Sequence, residues 1–308
     1  MRGYKIFAGT ASIDFAKEIC QVLDVPLAKA ETKTFSDGEI SVQIAESVRG
    51  RDVFIAQSTG APSNNNLMEL LIMTDALRRS SASSITAVVP YYGYARQDRK
   101  AAPRVPITAR LVADMYETAG IDRVVTIDLH AGQIQGFFNI PVDNLYGSVT
   151  FEHYIKSKNL KNPIIASPDI GGVARARYFA KRMGLEMVIV DKRREKANES
   201  EVMNIIGNVE GYDVIMIDDM VDTAGTMVKA ATALKNSGAT SVMACATHAV
   251  LSGKAYENLD HGELDELIVT NTLESQPHKK IKVLTVAPLF AEVIRRVYHN
   301  ESVNGLFE

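Results

Sequence analysis

The 308-residue chain has no tryptophan and only two cysteines, Cys20 and Cys245. Two isolated thiols cannot build the disulfide framework of a small secreted domain, and they suit a reducing compartment. No apolar run approaches the roughly 20 residues that a membrane span needs, and the opening MRGYKIFAGT holds no apolar stretch of signal-peptide length. The expectation is a cytoplasmic protein without a membrane partner. Charge of one sign is also lacking. A net charge of -3 gives no bulk attraction to nucleic acid or to a lipid surface. Pro-rich and Gly/Ser-rich linkers are missing, so any domains must abut closely. No G-x-x-x-x-G-K-[ST] occurs, which excludes a P-loop nucleotide site.

What is present is a soluble globular composition, 46% apolar and 23% charged, long enough for two ordinary cores. Short apolar runs rich in Val and Ile recur at 52–57, 84–90, 122–128, 163–169, 186–191, 213–218, 241–246 and 266–270. Continuous runs of this length read as strands buried on both faces, hence mostly parallel sheets flanked by helices in an α/β fold. The segments between them carry the helical period. After Gly225, Met227, Val228, Ala231 and Leu234 share a face, and Gly238 is placed to end the helix. The loops following the strands run polar-glycine, basic, acidic in each half: STGAPSNNN, YYGYARQDRK and LHAGQIQGF, then PDIGG, DKRREK and DMVDTAGT. This order predicts an internal duplication, with domains over 1–147 and 148–308 and a final helix, 288–300, assignable to either half.

The densest chemistry is DDMVDTAGT. Ligands in open α/β sheets bind beyond the carboxyl ends of strands, where this stretch falls. Gly225 lets a ligand approach the backbone, and the loop N–H groups with the hydroxyls of Thr223 and Thr226 can surround an anion at a helix N-terminus. Carboxylates repel a phosphate, so Asp218 and Asp219 make sense facing vicinal hydroxyls. Together these describe a pentose phosphate site. The plainer account is an acidic first turn complementing a helix dipole.

DKRREK (191–196) follows a buried strand and can deliver Lys192, Arg193 and Arg194 to a polyphosphate, where phosphoryl transfer needs positive charge; a solvated charge run is the alternative. In YYGYARQDRK, aromatics beside Arg96, Gln97, Arg99 and Lys100 can stack on a base and hold phosphates, or pack tyrosines at a subunit contact. FSDGE is an Asp-Gly turn that presents Phe35, Asp37 and Glu39. His130 and Asp169, each at a strand end, are too few for a structural zinc site. They suit Mg²⁺, which keeps several waters and takes its other ligands from substrate phosphates.

With TIDLHAGQIQGFF, SPDIGG, VDKRR, EVMNIIG and THAVLSG beside these motifs, the chain resembles the ribose-phosphate diphosphokinases (phosphoribosyl pyrophosphate synthetases). The likeness runs from FSDGE to the terminal ESVNGLF. It implies two similar phosphoribosyltransferase-type domains and transfer of the β,γ-diphosphoryl group of ATP to ribose 5-phosphate. By the same resemblance, Asp218 and Asp219 hold the ribose hydroxyls. Asp222, Thr223, Ala224, Gly225 and Thr226 wrap the 5-phosphate. Lys192 and Arg194 act at the β-phosphorus. Phe35, Asp37, Gly38, Glu39, Arg96 and Gln97 hold ATP, with Phe35, Asp37 and Glu39 offered to a neighbouring subunit's nucleotide, and His130 and Asp169 hold Mg²⁺.

The resemblance also implies a homo-oligomer, a hexamer in the classical members, inhibited by ADP and activated by phosphate. Ser47, Arg49, Ser81, Arg104, Gln135, Asn144 and Ser302 stand at matching or nearby places, with Asn304 where serine is common. The larger departure is DKRREKAN, where the family usually carries prolines; its loss predicts a more flexible empty loop. KAAPRVP (100–106) also differs from the commoner wording. A phosphoribosyltransferase that glycosylates a base would use DDMVDTAGT but leave YYGYARQDRK and DKRR without a task. A non-catalytic homologue that regulates an active partner is the third reading.

Overall fold

The computed structural model describes residues 3–193 and 202–306. The chain divides into two compact units, Met1–Tyr146 with Val286–Glu308, and Gly147–Thr285.

In the first unit, β1 (Tyr4–Ala8), β4 (Asp52–Ala56), β5 (Ser84–Val89), β6 (Arg123–Ile127) and β7 (Val142–Leu145) form a five-stranded sheet in that order. Every pairing is parallel. A hairpin of β2 (Ala30–Thr34) and β3 (Ile40–Ile44) stands as a separate two-stranded sheet. Because side chains alternate along a strand, β4 sends Val53 and Ile55 to one face and Phe54 and Ala56 to the other. The first face is covered by α2 (Ser63–Arg79) and α3 (Thr108–Ala119), the second by α1 (Ile13–Leu23) and α8 (Ala287–His299). Burial on both faces is why the strands read as unbroken apolar runs.

The second unit has a seven-stranded sheet. In space its order is β10 (Val202–Ile206), β9 (Met187–Arg193), β8 (Pro163–Ser167), β11 (Asp213–Val221), β12 (Ser241–Ala249), β13 (Glu266–Thr270) and β14 (Ile281–Leu284). Only β10 runs antiparallel, against β9. Val214 and Met216 face α6 (Gly225–Asn236) and α7 (Ala255–His261), while Ile215 and Ile217 face α4 (Ser148–Ser157) and α5 (Val173–Met183). Met227, Ala231 and Leu234 of α6 are buried as the period predicts, joined by Ala230 in place of the half-buried Val228.

The two sheets share a plan, β1-β4-β5-β6-β7 beside β8-β11-β12-β13-β14. This corrects the register of the repeat read from the loops. The acidic turn after β11 corresponds to STGAPSNNN after β4, not to the loop after β6. The sequence pattern missed the short first strand, YKIFA, so loop counting began one crossover late. The first unit's counterpart loop is filled by its own side chains. Gln57, Ser58, Thr59 and Asn66 are buried there, and Asn66 Nδ2 donates to the Gly60 carbonyl at 2.9 Å.

Candidate active site

Strands β9, β8 and β11 are neighbours and parallel, so their carboxyl ends share one edge of the second unit's sheet. That edge gathers Lys192, the SPDIGG loop with Asp169, and the DDMVDTAGT stretch. The backbone of Lys192 and Arg193 continues β9, paired with Met203 and Val202 of β10. Arg194 and the rest of the expected catalytic loop lie outside the described residues.

Strand β11 runs on through both aspartates to Val221, three residues past the expected end. Asp218 and Asp219 are successive residues of this strand. Asp219 is buried, whereas Asp218 is half-buried. A residue the sequence reading missed ties them together: Arg175 on α5 places Nη1 3.1 Å from Asp219 Oδ1 and 3.4 Å from Asp218 Oδ1. The Asp219 backbone N–H donates to Asp218 Oδ1 at 2.8 Å. Burial pushes the Asp218 carboxyl well above the usual carboxylate range, and the charge of Asp219 adds to this; Arg175 works against it. The available signal was an arginine at the third position of the helix opened by SPDIGG.

After β11 the chain turns through Asp222, Thr223 and Ala224 into α6. Ala224 takes the left-handed conformation, with φ of +60°. Gly225, which the sequence reading expected to let a ligand approach the backbone, follows as the first helical residue of α6. A Cβ built on Gly225 would meet only Thr223 Oγ1 at 3.7 Å and Asn258 Nδ2 at 3.8 Å. No internal packing demands glycine there; the space over the turn is open. Thr223 and Thr226 are exposed beside it. The Asp222 carboxylate accepts a hydrogen bond from the Ser252 hydroxyl. In the neighbouring loop, Asp169 Oδ1 accepts the Gly172 N–H at 2.8 Å, and the Asp169 carbonyl accepts from the Ser167 hydroxyl at 2.6 Å.

In the first unit the loops after β5 and β6 are joined by a hydrogen bond from Gln133 Nε2 to Asp98 Oδ2 of 2.9 Å. Arg96 and His130 are both exposed on these loops. Gln97 is held at the start of α3, where its carbonyl accepts the Ala109 N–H at 3.1 Å and its side chain accepts from Thr108. Two of the three tyrosines before Arg96 are not free to stack on a base. Tyr91 and Tyr92 are buried, and Tyr92 packs edge-on to Tyr116 and Phe138 with its hydroxyl donating to the Ala109 carbonyl at 2.8 Å. Tyr92 fills the space between β5 and α3 instead.

FSDGE forms the tip of the β2–β3 hairpin. The Phe35 N–H donates to the Glu39 carbonyl, the Gly38 N–H to the Phe35 carbonyl and the Glu39 N–H to Asp37 Oδ1. Among the described residues the tip's hydrogen bonds stay within it. Gly38 needs its φ of +94° for this turn, and Phe35 is left 57% exposed, available to a ligand or a second chain.

The effector candidates do not form one cluster. Ser47, Arg49 and Ser81 are exposed at the amino-terminal edge of the first sheet, where the Gly50 N–H donates to the Ser81 carbonyl at 2.8 Å. Arg104 is exposed in the loop after β5, and Gln135 lies in the turn Gly132–Phe137 after β6. Asn144 sits on β7, its Oδ1 accepting the Leu129 N–H at 3.1 Å. Ser302 follows α8, its carbonyl accepting from Arg296 at 2.7 Å. Among the described residues no three His, Cys, Asp or Glu side chains gather to hold a metal ion.

Two parallel α/β sheets of one plan, one ending in paired aspartates and a Thr-Ala-Gly-Thr turn, define a protein of the phosphoribosyltransferase fold class. Comparison with known proteins narrows this. The model for the N-terminal domain of ribose phosphate pyrophosphokinase matches residues 4–120, and that for the phosphoribosyl synthetase-associated domain matches residues 194–308. The chain is 72% identical to ribose-phosphate pyrophosphokinase of Campylobacter jejuni with 100% of both chains covered. It is 67% identical to that of Helicobacter pylori over 100% of this chain and 97% of the relative. A crystal structure of phosphoribosylpyrophosphate synthetase from Mycobacterium smegmatis superposes with a TM-score of 0.91 at 43% identity, covering 97% of this chain and 99% of that one. The chain belongs to the ribose-phosphate pyrophosphokinase family.

Proposed function

We propose that this protein transfers the β,γ-diphosphoryl group of ATP to the C1 hydroxyl of ribose 5-phosphate, giving 5-phosphoribosyl 1-diphosphate and AMP. The observation that supports the reading is that the carboxyl ends of β8, β9 and β11 share one sheet edge, so the Asp218–Asp219 pair, the open turn from Asp222 to Thr226 and the backbone of Lys192 belong to neighbouring strand ends. Full-length identity of 72% to a ribose-phosphate pyrophosphokinase supports it.

Asp218 and Asp219 accept hydrogen bonds from the ribose hydroxyls, with Arg175 opposing the rise that burial and Asp219 impose on the Asp218 carboxyl. The turn from Asp222 to Thr226 takes the 5-phosphate on its N–H groups and threonine hydroxyls. The C1 oxygen, losing its proton, attacks the β-phosphorus as the bond from the β-phosphorus to the α,β-bridging oxygen breaks. Lys192 and Arg194 meet the charge that builds on the diphosphate. Phe35, Asp37, Gly38 and Glu39, with Arg96 and Gln97, hold ATP.

Mg²⁺ suits His130 and Asp169, each a single protein ligand on its own unit for a cation that keeps much of its water. When bound it neutralises phosphate charge. The protein acts as a homo-oligomer, in the hexamer its family resemblance implies. ADP and inorganic phosphate act on Ser47, Arg49, Ser81, Arg104, Gln135, Asn144 and Ser302. These residues lie at separate places on the first unit, so one effector site needs residues from more than one copy.

Phosphorus NMR of ATP, Mg²⁺, ribose 5-phosphate and phosphate with the protein tests the reaction. AMP with a sugar-linked diphosphate is expected. ADP as product would place the attack at the γ-phosphorus and overturn the assignment.

A further inference from the structure

The THAVLSG segment and α7 behind it have no role in the reading above, yet they grip the phosphate turn from the side. The Leu251 N–H donates to the Val221 carbonyl at 3.0 Å and the Ser252 N–H to the Asp222 carbonyl at 3.1 Å. The Ser252 hydroxyl donates to Asp222 Oδ1. From α7, Asn258 Nδ2 donates to the Thr223 carbonyl at 2.8 Å. Three successive residues of the turn's approach, Val221 to Thr223, are thus each held by a partner some thirty positions further along the chain.

The turn requires such support. Ala224 is left-handed at φ of +60°, a conformation that costs a non-glycine residue on the order of 1 kcal/mol and persists only where its surroundings over-determine it. The support is itself anchored. A Cβ on Gly262, at the end of α7, would stand 2.3 Å from Val228 Cγ1 and 2.9 Å from the Asn258 carbonyl oxygen, so α7 is seated directly on the first turn of α6.

We propose that Ser252 and Asn258 are positioning residues that set the Asp222–Gly225 turn in its phosphate-accepting shape before the sugar phosphate arrives. The proposal rests on the reading of this turn as the 5-phosphate site. Preorganised N–H donors bind an anion without first being ordered, so loosening the turn weakens ribose 5-phosphate and leaves the rest of the reaction alone.

The test is calorimetric titration of ribose 5-phosphate into the intact protein, with initial-rate kinetics, for Asn258→Ala, Ser252→Ala and Ser252→Thr. Alanine is the better helix former at position 258, so folding is not compromised there. Each alanine variant is expected to bind ribose 5-phosphate about five-fold more weakly, the net worth of one hydrogen bond. The KM for ATP and kcat are expected to stay near those of the unmodified protein, and Ser252→Thr, which keeps the hydroxyl, to bind normally. Unchanged ribose 5-phosphate affinity in both alanine variants would overturn the proposal, as would a proportional loss of kcat and ATP affinity with a lowered Tm. Failure of the unmodified protein to bind ribose 5-phosphate would instead remove the site reading and this proposal with it.

Discussion

Replacing Gly225 with alanine should strengthen the fold slightly while damaging the site. The residue opens α6 with helical backbone, and its added Cβ would make only ordinary contacts, 3.7 Å to Thr223 Oγ1 and 3.8 Å to Asn258 Nδ2. Glycine to alanine at a compatible helical position is worth up to about 1 kcal/mol, partly by restricting the unfolded chain. For a unit of this size that is a rise of up to about 3 °C in Tm. The ligand side has the opposite sign. A methyl over the turn occupies space that a bound phosphate needs to reach the N–H groups, and displacement forfeits a charge-assisted hydrogen bond of about 1.5–3 kcal/mol. The KM for ribose 5-phosphate should rise about 10- to 150-fold, with the KM for ATP unchanged. Initial rates at varied ribose 5-phosphate, beside a thermal unfolding curve, read both halves. An unaltered ribose 5-phosphate KM would refute the placement of the phosphate; a fall in Tm would refute the packing argument.

Gly93→Ala should act in the opposite way, because its Cβ would fall 2.2 Å from the Thr59 carbonyl oxygen. Backbone must move, at a cost of about 1–3 kcal/mol or more, and an unchanged Tm would contradict the close seating of the loops after β4 and β5. Asp218, raised by burial and by Asp219, stabilises the unliganded fold in its protonated form at low pH, a contribution lost as pH rises through its elevated value. Ribose hydroxyls need the ionised form, so sugar affinity should climb through the same window, and Arg175→Met should move that climb to higher pH. A pH profile of ribose 5-phosphate KM that is identical in the variant would rule this out. Glu292, held down to about 2 by hydrogen bonds from Arg295 and Arg296, contributes stability above its ordinary 4.5 that is lost as pH falls from about 4.5 toward 2. Glu292→Gln should therefore narrow its Tm difference from the unmodified protein across that window, by a small amount because the partners are partly exposed.

Strands that are buried on both faces announce themselves within five or six residues, so the parallel sheets, the acidic turn after β11 and the Asp37-Gly38 turn were all legible from the chain alone. Each rests on local chemistry: apolar side chains at every position, a glycine able to take positive φ, hydroxyls and N–H groups within one loop. The elements that escaped are short or half-exposed. β2 reads AETKT, with no apolar face, and β14 reads IKVL, whose apolar face is only Ile281 and Val283, too short to mark a strand. The order of the strands in space set the register of the repeat, and no strand encodes its neighbour. The amphipathic face of α8 required a cover but did not say which sheet; packing with α1 on the first sheet decided that. The same holds at the site. Asp218 and Asp219 were visible, whereas Arg175, Ser252 and Asn258 lie 30 to 44 residues from the groups they hold. Their roles come from a guanidinium, a hydroxyl and an amide brought to one strand end by tertiary packing, which no local pattern records.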